Sequence, residues 1–181
     1  MASAASNLAW SIPAALAVIP AFVWVQSRRR EYRAIGRALN AEEHAALAPY
    51  FNADLLARVR IAEVDRITDS FLVRWLRGAG WSRVPGGLEW VFGMAFVDVV
   101  ALRAAAAHRE QRRMPLLFHE LVHIAQYQRR GTYGFLFRYL RGWMAHGRVY
   151  MEIPMEQEAY ALQDRFARGE IFVVDEGLRA Q

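Results

Sequence analysis

Two histidines and a glutamate interrupt an otherwise apolar run, and this constrains the chain more than any other feature. The run is Leu116-Leu117-Phe118-His119-Glu120-Leu121-Val122-His123-Ile124-Ala125. Pro115 suits the first turn of a helix, where its missing N–H removes no hydrogen bond, and Gly131 suits the position just past the end. The helix is apolar on more than one side, which predicts burial, with Arg129 and Arg130 emerging at its C-terminal end. Polar groups in such a place need partners, because unpaired they cost free energy. Histidines four apart lie one above the other on one face, so His119 and His123 can reach a single ion. Zinc accepts neutral imidazole nitrogen, and Glu120 can take a proton from a metal-bound water. The HExxH pattern is short, arising by chance in roughly one chain in a hundred of this composition, so the wider context has to carry it.

A catalytic zinc has three protein ligands and one open position, so two histidines need a third partner. The chain has no cysteine and no histidine at position 129, which excludes thiolate ligation, disulfides and a third histidine at that spacing. Downstream, Glu152-Ile153-Pro154-Met155-Glu156-Gln157-Glu158-Ala159-Tyr160 opens a second helix at Pro154 that continues through Leu162 and Phe166 to a stop at Gly169. A glutamate of this helix, Glu156 or Glu158, is the best remaining candidate.

His119-Glu120-Leu121-Val122-His123 with Gln126-Tyr127, followed by Glu156-Gln157-Glu158-Ala159-Tyr160, resembles the gluzincin type of zinc metallopeptidase. It is most similar to small bacterial zincin-like domains with a HELxHxxQY helix and a later ExEA helix. The resemblance covers residues 50–170 in layout, but only the two motifs are specific. It implies an α+β zincin-like domain, mostly helical with a small sheet, that hydrolyses peptide bonds in a peptide or protein substrate. In membrane-embedded gluzincins the first glutamate of ExEAD ligates the metal, which points to Glu156, with Tyr160 in place of the aspartate that orients a ligand histidine. Thermolysin-like enzymes place the ligand directly before alanine, which points to Glu158. The alternative is a catalytically degenerate domain that keeps zinc for folding and acts as a binding or structural module at the membrane.

Composition narrows the partners. A 181-residue chain that is 55% hydrophobic can bury one core. The net charge of +5 and the pI near 10.1 could suggest nucleic acid. All 23 basic residues, however, are arginines scattered from Arg28 to Arg179 without an aromatic-basic signature, so no nucleic-acid partner is expected. Leu8 to Val25 is uncharged and apolar, with Trp10 and Trp24 near its ends and Arg28-Arg29-Arg30 beyond it. Residues 1–27 therefore read as a membrane anchor, and residues 28–181 as the zincin-like domain. The arginine excess after the anchor predicts a single-pass membrane protein with its C-terminal domain in the cytoplasm.

Between these landmarks, Arg28 to Leu39 reads as helix, its arginines facing lipid head groups or water. Asn40 caps the next helix in a capping box with Glu43, Pro49 ends it, and Asp54 to Val59 forms another short helix. His44 and His108 are expected in solvent. Val59 to Val64 reads as a strand, Phe71 to Leu76 as helix or strand, and Pro85-Gly86-Gly87 as a turn. Val91 to Leu102 is expected to be one strand beside the metal helix, containing Gly93 and Asp98. Tyr133 to Trp143 has helical spacing and a core stripe. His146 and Tyr150 have the chemistry to steady an oxyanion near the site, and Arg148 could bind a substrate carboxylate.

Overall fold

The computed structural model describes residues 10–67, 91–104 and 110–178, for 110–112 the backbone only. The segments at 71–76 and 85–87 and the residue His108 lie outside the described residues. The described chain is mostly helical around a small sheet. In order it runs α1 (Ser11–Ile35), α2 (Ala41–Leu47), α3 (Ala53–Arg58), β1 (Arg60–Val64), β2 (Gly93–Phe96), β3 (Val99–Arg103), α4 (Glu110–Ala145), a 3₁₀ turn (Tyr150–Glu152), α5 (Pro154–Ala167) and α6 (Val174–Gly177).

The sheet order is β1-β3-β2, with β1 parallel to β3 in the register Arg60↔Val99 and β2 antiparallel to β3 in the register Gly93↔Leu102. The single strand expected over Val91–Leu102 is thus a hairpin. Residues 99–102 are fully buried, so both faces are apolar and no alternation marks where one strand ends. The turn is tight: the Asp98 amide donates to the Phe96 carbonyl at 2.8 Å, and Val97 takes a φ of +65°, which is costly for a β-branched residue. Asp98 does not approach the histidines. Its carboxylate accepts from Arg29 Nε at 2.6 Å, Arg29 Nη2 at 2.7 Å and Arg33 Nη1 at 2.9 Å, which ties the hairpin to α1. The arginines expected to face lipid or water therefore serve in part inside the fold.

α1 is one continuous helix across residue 27, where the anchor was expected to end. Ala14, Ala17, Val18, Ala21, Val25 and Tyr32 are buried, packed against α4 and the sheet. Phe96 meets Trp24 edge-on and Tyr32 at a tilt, both at 5.4 Å between ring centroids. Among the described residues α1 is the one helix long and apolar enough to cross a membrane.

α4 starts at Glu110, five residues before the expected first turn, so Pro115 lies inside the helix. It bends at Gly131, whose φ of +67° and ψ of 163° interrupt the helical path where the sequence indicated a stop. From Leu117 to Tyr127 every residue is buried, because the sheet and α1 cover one side of this stretch and α5 the other. Phe118 anchors the α5 side, stacked on Phe166 at 4.3 Å and edge-on to Tyr50 at 5.4 Å.

The capping box forms as expected: Asn40 Oδ1 accepts from the Glu43 amide at 2.7 Å, and Glu43 Oε2 accepts from the Asn40 amide at 2.9 Å. The buried Glu43 carboxylate also accepts from Arg37 and Arg113, each at 2.7 Å. Burial alone would raise its pKa, but the Arg37, Asn40 and Arg113 hydrogen bonds together pull it down to about 2. A folded-state pKa below the usual value of 4.5 contributes stability that is complete above that value and is lost as pH falls through 2. Glu43→Gln is expected to cost about 2 kcal/mol near neutral pH, leaving Arg37 and Arg113 to the more exposed Glu63. Urea unfolding at pH 7 measures it, and the difference from the parent protein should shrink toward pH 2.

Candidate metal centre

His119, Glu120 and His123 occupy the middle of the fully buried stretch of α4, and Glu156 enters from the first turn of α5, where Pro154 starts the helix. His119 Nε2 lies 3.1 Å from His123 Nε2, and Glu156 Oε2 lies 3.2 Å from the first and 3.4 Å from the second. Ligand atoms about 2.0–2.1 Å from a tetrahedral zinc stand about 3.3–3.4 Å apart, so this triangle has the size of one face of such a site. The same three atoms are also within hydrogen-bonding and ion-pairing distance of one another. The cluster thus suits a divalent cation and is also a closed polar network by itself.

The supporting contacts fix how each side chain presents itself. Gln126 Nε2 donates to the Met155 carbonyl at 3.1 Å and to Glu158 Oε2 at 2.8 Å, so its Oε1 is left to accept from His123 Nδ1, 2.8 Å away. The hydrogen-bond network thereby assigns a proton to Nδ1 and turns Nε2 toward His119 and Glu156. Tyr139 donates to Glu156 Oε1 at 2.7 Å, which leaves Oε2 facing the histidines. His119 Nδ1 has no hydrogen-bond partner among the described residues.

The electrostatics follow from burial and proximity. Burial opposes a charge on His123, but the Glu156 carboxylate outweighs it and holds the imidazole up to about 9. Burial would likewise raise Glu156, yet His123 and His119 bring it well below the ordinary range. Glu120 is raised, chiefly by burial, against the lowering pull of the two histidines. Its carboxylate accepts a hydrogen bond from the Ala95 backbone on β2, which pairs on its other side with β3. Gly93 makes room for it: a Cβ there would stand 2.8 Å from Glu120 Oε1. Tyr139 and Tyr150 are raised, first by burial and then by Glu156, so both phenols stay protonated as donors.

A cavity of about 190 Å³ opens onto Glu120, His123 and Glu156. Its other walls come from α1, β2 and the second half of α4, mostly with apolar side chains, and Tyr150 lines it.

The structure brings His119, His123, Glu156, Glu120 and Tyr150 together. It directs Glu158 to Gln126, away from the histidine pair. Tyr160, at the aspartate position of ExEAD, meets His119 ring to ring at 4.5 Å without reaching its Nδ1. His146 is exposed beyond the end of α4, its Nδ1 2.8 Å from the Gly142 carbonyl, and it does not line the cavity. Arg148 follows in a turn with a φ of +65°, and His44 is exposed. No motif or helical stripe marks Tyr139, Gly93 or the α1 residues in the cavity wall. A phenol at position 139, four residues from Phe135 and stacked on it at 5.8 Å, was the available signal for a polar tip on that face.

Comparison with protein-family models, with curated proteins and with solved structures finds no match to this chain.

Proposed function

We propose that the chain is a zinc-dependent metallopeptidase with a zincin-like α+β domain of gluzincin type, its zinc held by His119, His123 and Glu156. The observation that carries this reading is the triangle of ligand atoms from two separate helices, 3.1–3.4 Å on each side, with Glu120 and a cavity beside it. Held there, zinc would supply Lewis acidity for a water and for a substrate carbonyl. Glu120 takes the water's proton as the oxygen bonds to the carbonyl carbon, and returns it to the amine as the C–N bond breaks. A carboxylate raised by burial suits both halves of that exchange. Tyr150, a protonated phenol on the cavity wall that is hydrogen-bonded to Glu156, would turn its proton to the developing oxyanion. Tyr139 and Gln126 act as positioning residues for Glu156 and His123. α1 holds the domain at a membrane through its exposed apolar side, with the arginines after residue 27 on the cytoplasmic side.

Two observations favour a second reading, in which the metal stabilises a binding or structural module that does not hydrolyse. Among the described residues His119 has no partner on Nδ1 of the kind ligand histidines usually have, and the cluster closes on itself through hydrogen bonds. Cleavage of an unfolded, fluorescently quenched polypeptide separates the two. The peptidase should lose activity to a chelator and regain it with one equivalent of zinc per chain. Zinc uptake without any cleavage would favour the module.

Gln126→Leu removes the acceptor for His123 Nδ1 and is expected to weaken zinc binding by roughly 10- to 100-fold in a chelator-competition titration. Gln126→Glu combined with Glu158→Gln, which keeps the acceptor for His123 Nδ1 and moves the amide donor to position 158, should stay nearer to the parent.

A further inference from the structure

α1 carries two apolar faces. The inner face is small: Ala14, Ala17 and Ala21, with Val18 and Val25, let α1 approach α4 closely. Of these, Ala21 and Val25, together with Trp24, also form part of the wall of the cavity that reaches His123 and Glu156. The outer face is large and uncovered among the described residues: Ile12, Leu16, Ile19 and Val23 are 73%, 69%, 67% and 63% exposed at spacings of four, three and four. Single exposed apolar side chains are ordinary, but a continuous stripe over three turns of one helix marks a contact surface. The stripe gives way on the same face to the exposed Arg30, a cation that suits anionic head groups, while Arg28 pairs with Glu31 and Arg29 with Asp98. Ala21 lies seven residues before Arg28, roughly 10 Å deeper along the helix axis.

We infer that α1 is a shared wall, its outer stripe in the acyl region of an anionic bilayer and its inner face closing the metal cavity, so that the substrate is an apolar polypeptide segment taken up at the bilayer surface. This rests on the metallopeptidase reading for the word substrate, and adds where that substrate comes from and which helix selects it. With the arginines at head-group level, the cavity wall sits at the acyl boundary. The apolar lining from α1, with Met94, Leu136 and Leu140 opposite, favours a large apolar side chain beside the reacting carbonyl.

The absence of native cysteine makes the test direct. Full-length zinc-loaded Leu16→Cys and Ile171→Cys variants are labelled with an environment-sensitive fluorophore. Each is then mixed with vesicles of phosphatidylcholine containing phosphatidylglycerol. The label at 16 should shift to the blue, be quenched by doxyl-labelled acyl chains and resist iodide, while the label at the exposed position 171 stays open to iodide. In a second arm, leucine hydroxamate should bind the parent protein roughly tenfold or more tighter than acetohydroxamate. Ala21→Trp, which fills the wall, should remove that preference, with one zinc per chain as the sign that the site still forms. If Ala21→Trp no longer binds acetohydroxamate, the smaller Ala21→Leu gives the same comparison.

A label at 16 that stays in water with vesicles present overturns the inference. So does one already shielded without vesicles in a dimeric chain, since a second copy would then cover the stripe. Leucine hydroxamate that gains nothing over acetohydroxamate, or keeps its gain in both Ala21 variants, overturns it too. A parent protein that binds no acetohydroxamate and no zinc would instead defeat the underlying metal reading.

Discussion

Glu120→Gln is expected to retain zinc and to lose hydrolysis by roughly 10²- to 10⁴-fold, the range a positioned acid–base group contributes. The substitution is close to isosteric, so the space left by Gly93 still fits it, and its amide oxygen can accept from the Ala95 backbone as the carboxylate does. Neither histidine nor Glu156 loses a hydrogen-bond partner. What disappears is a base that can take a proton from water and give it to an amine. The fall should therefore appear in kcat, with KM and zinc stoichiometry near the parent values. Cleavage at parental rate by the zinc-loaded variant would remove Glu120 from the chemistry. An equal loss of zinc and activity would mean that the residue is structural.

The second large effect is expected at Glu156. Glu156→Gln replaces an anionic oxygen by a neutral amide at the corner of the ligand triangle, and should weaken zinc binding by at least about a hundredfold, more than loss of a supporting partner does. Two further consequences distinguish it from a general destabilisation. Without the carboxylate the imidazole of His123 loses the main influence that raises its proton affinity, so burial dominates and its pKa should fall from about 9. The zinc-dependent gain in melting temperature should also vanish, since a ligand stabilises only the state it binds. Calorimetry with and without added zinc, together with histidine titration by NMR in the metal-free protein, reads both. An unchanged zinc affinity would place the third ligand elsewhere.

The helical frame of the site was legible because its signals are local. The apolar surroundings of His119 and His123 predicted a helix buried all round. Asn40 with Glu43 wrote out a capping box, and Gly131 marked a helix end, where the helix bends and goes on. What escaped depends on partners distant in the chain. The three arginines after residue 27 suggested a boundary between anchor and domain, yet α1 runs on because Arg29 and Arg33 find Asp98 more than sixty residues later. The hairpin at Val97 and Asp98 has no glycine, proline or asparagine to announce it. Its strands, buried on both faces at β3, show no alternation. Gly93 offered no hint that its missing side chain leaves room for Glu120 twenty-seven residues on. Choosing between Glu156 and Glu158 needed geometry as well, since two residues of helix swing one carboxylate toward the histidines and the other toward Gln126.

Metal analysis of the purified protein, coupled to X-ray absorption at the zinc edge, decides whether the three side chains hold an ion. One zinc per chain is expected, bound by two imidazole nitrogens and a carboxylate oxygen at about 2.0–2.2 Å, with the signal lost in His123→Ala. A chain that purifies without zinc, and takes up none when the ion is supplied at neutral pH, would contradict the metal reading. The buried cluster would then be a hydrogen-bonded core network, with Glu120 as one of its members.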